Sequence, residues 1–245
     1  QLRAHADELA AVIVEPLVQG AAGMWTHPPR YLAELATLAR EAGTLLICDE
    51  VATGFGRTGT MFACEQAGVT PDLMCVGKGI TGGYLPLAAT FATEELFDAF
   101  LGPYEDFVTF FHGHTYTGNP LACAAGLASL DVFEAERTLE HVDEIARALG
   151  DALEQQIAPL AHVGEVRRRG LMVGIELVQD RHTRASYPPA ARIGQRVCEV
   201  VRRHGVILRP LGNVIVLMPP LSLRVDELDL LVGATARAIR EVTEA

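Results

Sequence analysis

The sequence is short of positive charge. Of its 245 residues, 20 are Lys or Arg and 31 are Asp or Glu, a net charge of −11. Such a balance repels a polyanion, which argues against nucleic acid as a partner. The chain also has no close cysteine pairs. Its five cysteines stand at 48, 64, 75, 123 and 198, and none forms a C-x-x-C pair. Most sit in apolar runs, where they read as reduced, buried thiols of a cytoplasmic protein. No apolar run is long enough to span a membrane, and there is no internal repeat or low-complexity segment. The remainder is 49% hydrophobic and 21% charged, the composition of a globular protein with a core in one or two domains.

One stretch organises the chain. Leu45-Leu46-Ile47-Cys48 is an apolar run of strand length that delivers Asp49, and Leu73-Met74-Cys75-Val76 is a second, followed by Gly77-Lys78-Gly79. In an open α/β sheet, ligands bind at the carboxyl ends of strands, so both charges are expected in one crevice. An amine and a carboxylate there suit pyridoxal 5'-phosphate (PLP). The amine forms a Schiff base, and the carboxylate keeps the pyridine nitrogen protonated. A nucleotide-hydrolysing reading of the Asp49-Glu50 strand end needs a P-loop. The Gly77-Lys78 pair is followed by Gly79 instead of Ser or Thr, and it lies downstream of the acidic strand. The bland reading, that each charge merely ends a strand, suits either residue alone better than the two together with Thr53-Gly54-Phe55-Gly56-Arg57-Thr58-Gly59 between them.

Periodicity places the elements. A strand is expected at Ala10–Glu15, then a loop from Gly20 to Pro29, then a helix over 30–42 stopped by Gly43. With the strand at Leu45–Cys48 this makes a βαβ unit and a parallel sheet. A short helix over 60–67 and strands at Leu73–Val76 and Leu87–Phe91 follow. Loops are expected over 77–83 and at Phe107–Pro120. Helices follow at 118–133 and 138–157. Near Pro159 the character changes: Arg167-Arg168-Arg169-Gly170 leads into a strand at Leu171–Val178. A helix over 189–204, strands over 206–208 and 213–217 and a helix over 225–243 complete a small α+β domain. The division is set at 1–136 and 137–245.

These motifs resemble a known family. Asp49-Glu50-Val51-Ala52-Thr53-Gly54-Phe55-Gly56-Arg57-Thr58-Gly59 and Gly77-Lys78 are similar to the signature of class III PLP-dependent aminotransferases. Val14-Glu15-Pro16-Leu17-Val18-Gln19-Gly20, His112-Gly113-His114-Thr115-Tyr116-Thr117-Gly118-Asn119-Pro120 and Leu217-Met218-Pro219-Pro220 agree, and the resemblance runs over nearly the whole chain. It implies a fold-type I α/β architecture: part of the large PLP-binding domain with its mixed or parallel sheet, and a small carboxy-terminal α+β domain. Lys78 is then the Schiff-base lysine and proton carrier, and Asp49 is the partner of the pyridine nitrogen. Val51, taken to lie on a continuing strand, packs on the ring, and Thr115 reaches the phosphate of a neighbouring subunit in a homodimer. Arg209, placed after a strand, Arg57 in the Gly-rich loop near Asp49, and Gly113 would contact the substrates, an amino donor and a keto acceptor.

The branch of the class that serves biotin synthesis is the nearest resemblance. It implies amino transfer from S-adenosylmethionine to 8-amino-7-oxononanoate. Ala52, small where many members carry Gln, fits that branch; Val216, where the branch commonly has Tyr, departs from it. Another ω-aminotransferase, an aminomutase and a non-catalytic remnant stay open. Thr115 also reads as a cap of the helix after Gly118. His112 and His114 form an H-x-H with no third ligand in view, so no metal is expected. Gln1 opens the chain, class members are considerably longer, and no Gly- or Ser-containing phosphate turn precedes Asp49. The expectation is a carboxy-terminal portion that lacks an amino-terminal half.

Overall fold

The structure is a computed structural model that describes residues 2–244. In chain order the strands and helices are β1 (Ala11–Val14), β2 (Val18–Gln19), β3 (Trp25–Thr26), α1 (Pro29–Glu41), β4 (Leu45–Asp49), β5 (Leu73–Val76), β6 (Ala89–Ala92), α2 (Glu94–Asp98) and α3 (Pro120–Ala135). The chain continues through α4 (Thr138–Gln156), β7 (Val163–Arg169), β8 (Met172–Asp180), β9 (Ala185–Ser186), α5 (Ile193–Val201), β10 (Arg209–Leu211), β11 (Val214–Leu217) and α6 (Val225–Thr243). No helix among the described residues is long and apolar enough to cross a membrane. The chain divides into two compact units, one of residues 1–17, 28–55 and 60–137, the other of 18–27, 56–59 and 138–245.

The first unit is built on a four-stranded sheet in the order β1-β4-β5-β6. β1, β4 and β5 run parallel and β6 closes the edge antiparallel. Helix α1 makes the crossover. Pro29 at its first position loses no needed N–H. Leu32, Leu35, Ala36 and Ala39 recur at helical spacing and pack on Val12, Val14, Leu46 and Cys48. Gly43, at φ +64°, ends the helix, and Thr44 N–H closes it on the Ala39 carbonyl at 2.9 Å. The opposite face of the sheet carries Ile13, Ile47 and Cys75, and Ile13 is 63% exposed. Helix α3 is capped by Asn119, whose side-chain oxygen accepts from the N–H groups of Leu121 and Ala122.

The second unit is a five-stranded sheet in the order β10-β11-β8-β7, with β9 added beside β8. Its strands pair antiparallel. β8 and β11 are buried almost throughout, so both read as continuous apolar runs. Helices α4, α5 and α6 supply the rest of the core. Val142, Ile145, Leu149 and Leu153 line one face of α4, and Leu228, Leu231, Val232 and Ile239 line α6. Arg167 on β7 is buried among charges that neutralise it. It donates to Glu165 at 3.1 Å, to Glu176, and to the Gly23 carbonyl at 2.9 Å, and it stacks 4.2 Å from the Trp25 ring centroid. These contacts fasten the short β2–β3 hairpin to the sheet.

Several elements differ from the sequence reading. Strand β3 lies within the stretch expected as a loop, paired with β2 just before that stretch. Residues 163–169 form a full strand although three arginines occupy its end. Strand β4 stops at Asp49, and 51–58 turn away, so Val51 does not continue the strand. The strand expected over 206–208 lies at Arg209–Leu211, which places Arg209 on β10 rather than after a strand.

Candidate active site

Asp49 ends β4 and stands in register with Cys75 of β5, three residues before Lys78. Parallel neighbours in register project to the same side, so both strand ends open on one edge of the sheet. One Asp49 carboxylate oxygen accepts the Val51 N–H at 3.0 Å, which turns the chain sharply after the strand. Asp49 is half-buried and Lys78 is exposed. Among the described residues the Lys78 amine makes no hydrogen bond or ion pair, and the second Asp49 oxygen accepts none. An acceptor oxygen and a free primary amine at adjacent strand ends form a donor set that fits a pyridine N–H and an aldehyde.

Glu50 secures the turn. It is fully buried, accepts the Thr53 hydroxyl on one oxygen, and accepts the Cys64 N–H on the other at 2.8 Å. Its carbonyl accepts the Gly54 N–H at 2.9 Å. Sequence reasoning gave this residue no role, although a glutamate directly after a buried strand has to find partners, which was the available signal.

The Lys78 turn is tight. Gly77 is extended, Lys78 takes φ +41°, and residues 78–81 form a 3₁₀ turn closed by Ile80 N–H on Gly77 O and Gly82 N–H on Gly79 O. The Val51 side chain lies 3.4 Å from where a β-carbon on Gly77 would sit. Val51 therefore lies beside Asp49 and against the Gly77 end of the Lys78 turn. Thr115 and Gly113 lie on the exposed 107–118 segment of the same unit, Gly113 at φ +153°. The helix cap is Asn119, not Thr115. The His114 Nδ1 accepts the Tyr116 N–H at 3.1 Å, and His112 stacks on Phe110. No group of three or more His, Cys, Asp or Glu among the described residues is placed to hold a metal ion.

Arg57 and Arg209 belong to the second unit. The Arg57 guanidinium donates to the Pro219 carbonyl, a partner the sequence reading did not name, and burial pulls its pKa down from the ordinary arginine value. Arg209 is exposed on β10, in register with Val216 of β11.

Comparisons with known proteins identify the family. The family model described as aminotransferase class-III matches residues 1–239. The adenosylmethionine-8-amino-7-oxononanoate aminotransferase of Nitratidesulfovibrio vulgaris is 60% identical, over 99% of this chain and 45% of its own length. Its namesake from Geobacter sulfurreducens is 51% identical, over 99% of this chain and 53% of its own length. The crystal structure of the corresponding aminotransferase from Methanocaldococcus jannaschii superposes with a TM-score of 0.95 at 45% identity, covering 98% of this chain and 56% of that one. An (S)-enantioselective omega-transaminase from Thermomicrobium roseum superposes with a TM-score of 0.87 at 38% identity, covering 98% and 52%. The chain thus spans about half the length of the curated relatives it matches. Its α/β architecture, with mixed parallel and antiparallel strands, is that of the fold-type I aminotransferases, and by its sequence over residues 1–239 the chain belongs to the class III aminotransferases.

Proposed function

We propose that this chain carries the lysine and the ring-binding carboxylate of a PLP-dependent aminotransferase. In this reading the reaction moves an amino group from S-adenosylmethionine to 8-amino-7-oxononanoate and gives 7,8-diaminononanoate for biotin synthesis in the cytoplasm. One observation carries the reading: Asp49 and Lys78 stand at the carboxyl ends of two adjacent parallel strands, each without a competing partner for the atom that has to act. The names of the relatives support the substrates.

PLP, when bound, supplies the electron sink that makes the substrate Cα proton acidic. The chain's own residues do the rest. Lys78 Nζ would hold the cofactor, and its amine, when free, would carry a proton between carbons. The free Asp49 oxygen would accept the ring N–H. Val51 would lie against the ring. Thr115 reaches a phosphate held by a second copy, so the working form is a homodimer. Arg209 and Arg57 take the substrate carboxylate, for which a planar guanidinium fork is suited, and Gly113 lets backbone approach the substrate. Residues 1–136 act as the later part of the cofactor-binding domain and 137–245 as the small domain. A further segment, for which the length of the relatives argues and which this reading places amino-terminal, would provide the phosphate turn.

Val216 favours a second reading. It stands in register with Arg209, at the position where the biotin branch commonly has Tyr. A valine leaves room for a different keto acceptor, as an ω-aminotransferase would use. Single-turnover amino transfer from S-adenosylmethionine and from ω-amino acids separates the two.

The attachment itself is tested by borohydride reduction of the PLP-bound protein, assembled with its amino-terminal segment, followed by peptide mass spectrometry. A pyridoxyl adduct is expected on Lys78 and is expected to be lost in Lys78→Ala. An adduct on another lysine overturns the assignment.

A further inference from the structure

The turn after β4 and the turn after β5 are wedged together by one side chain. Phe55 is 6% exposed and itself adopts φ +54°. A β-carbon on Gly79 would lie 2.8 Å from the Phe55 Cβ and 3.2 Å from both Cγ and Cδ2. The ring therefore rests directly on the Gly79 backbone, one residue past Lys78. On its other side Phe55 meets the edge of Phe62, with centroids 5.6 Å apart and planes at 70°. The 51–55 segment cannot easily retreat. Buried Glu50 holds it through the Thr53 hydroxyl and the Gly54 N–H, and Glu50 is fixed in turn by the Cys64 N–H. The turn it presses on holds Lys78 in the left-handed region, which side-chain-bearing residues rarely occupy and leave readily unless packing holds them.

We infer that Phe55 is a positioning residue for Lys78: by bearing on Gly79 it fixes the backbone from which the lysine side chain departs, and so the direction of the amine relative to Asp49. The functional half of this inference rests on the reading of Lys78 given above. The mechanical half does not, because the contact lies within the first unit and needs no cofactor.

Hydrogen exchange on the chain without cofactor tests the mechanical half. Phe55→Ala is expected to speed exchange of the Ile80 and Gly82 amides by about tenfold or more, while the amides of β4 and β5 change little. Phe55→Leu, which refills the space, is expected to restore protection. Gly79→Ala sets a methyl against Phe55 and is expected to loosen the same amides. The double variant Phe55→Ala/Gly79→Ala relieves that clash, so its effect is expected to be well below the product of the two. Unchanged protection in Gly79→Ala, protection in Phe55→Leu as low as in Phe55→Ala, or a purely multiplicative cycle overturns the contact, and the Gly79→Ala result decides even where Phe55→Ala folds poorly.

Borohydride capture of PLP at Lys78 in the assembled protein tests the functional half. Capture is expected to be several-fold slower in Phe55→Ala and restored in Phe55→Leu. Loosened exchange with unchanged capture overturns the positioning role. No capture in the unsubstituted protein overturns the reading of Lys78, and the exchange cycle still decides whether Phe55 holds the turn.

Discussion

Cys48 and Cys64 lie in the apolar cluster beneath α1. Burial first pushes both thiols up to about 12, helped at Cys48 by the Cys64 thiol and Glu50 and at Cys64 by Glu50. Burial likewise lifts Cys198 to about 11. A thiol whose folded pKa is raised favours the folded state below its unfolded pKa near 9, and that advantage drains away as pH climbs from about 9 toward 12. Stability is therefore expected to fall in that alkaline window, which denaturation curves taken at successive pH values would show. At pH 9 a thiol with pKa 12 is thiolate in roughly one molecule in a thousand. Iodoacetamide should then label exposed Cys123 promptly and reach Cys48 and Cys64 only after unfolding; prompt native labelling of Cys48 would contradict the burial. Arg209 offers a prediction of a different kind. Its guanidinium is exposed and makes no hydrogen bond or ion pair among the described residues, so truncation removes little structure. Arg209→Ala is expected to weaken binding of a carboxylate-bearing substrate by about 2 kcal/mol while leaving the melting temperature nearly unchanged. A matching fall in melting temperature, or no loss of substrate affinity in either half-reaction, would mark it as structural.

The turn between β7 and β8 shows how a single glycine joins elements. Gly170 has φ +55°, and a β-carbon there would lie 2.6–2.7 Å from backbone atoms of Arg57 and Thr58. Leu171 N–H donates to the Arg57 carbonyl at 3.1 Å, which seals the contact. Backbone cannot move aside as a flexible side chain can, so Gly170→Ala combines left-handed strain with overpacking and is expected to cost about 2–4 kcal/mol. Gly43→Ala meets nothing within 4 Å and should cost only about 1 kcal/mol for its φ of +64°. Urea denaturation of the two variants compares them, and equal losses would show that the Arg57–Thr58 contact contributes nothing. Elements such as these mark what the sequence could disclose. β1, α1, β4 and β5 were legible because each buries a periodic apolar face in contiguous residues. β7 was hidden because Arg167, Arg168 and Arg169 look exposed until Glu165, Glu176 and Trp25 are seen around the first of them. The β2–β3 hairpin is too short to show periodicity. Asp49 and Lys78 could be picked out as strand-end charges. Glu50 left a signal only in its place directly after a buried strand, and Phe55 left none, since its partner Gly79 is set by the fold.

At the scale of the molecule, the first unit leaves apolar surface uncovered. The side of its sheet opposite α1 carries Ile13, Ile47 and Cys75, and none of them joins a buried cluster. Tyr84, Phe97, Phe107, Phe111 and Leu121 stand exposed further along, Tyr84 at 88% and Phe111 at 83%. Exposed apolar side chains in this number favour association when left open. The relatives are about twice as long as this chain, and a second copy is needed for Thr115 to meet a phosphate in the reading above. In that reading Lys78 and Asp49 would give PLP an attachment and a ring contact, and its phosphate would be held by other residues. Residues 1–245 by themselves are therefore expected to associate as concentration rises and to take up PLP weakly, without turnover. Adding an amino-terminal segment of the length found in the relatives should produce a species of defined mass, a shift of the cofactor's absorbance to that of a lysine-linked form, and amino transfer. Sedimentation velocity and a PLP titration, run with and without the segment, decide it. Tight lysine-linked binding and turnover by a monodisperse chain of these 245 residues would show that the exposed faces need no cover and that the phosphate is held by residues already present.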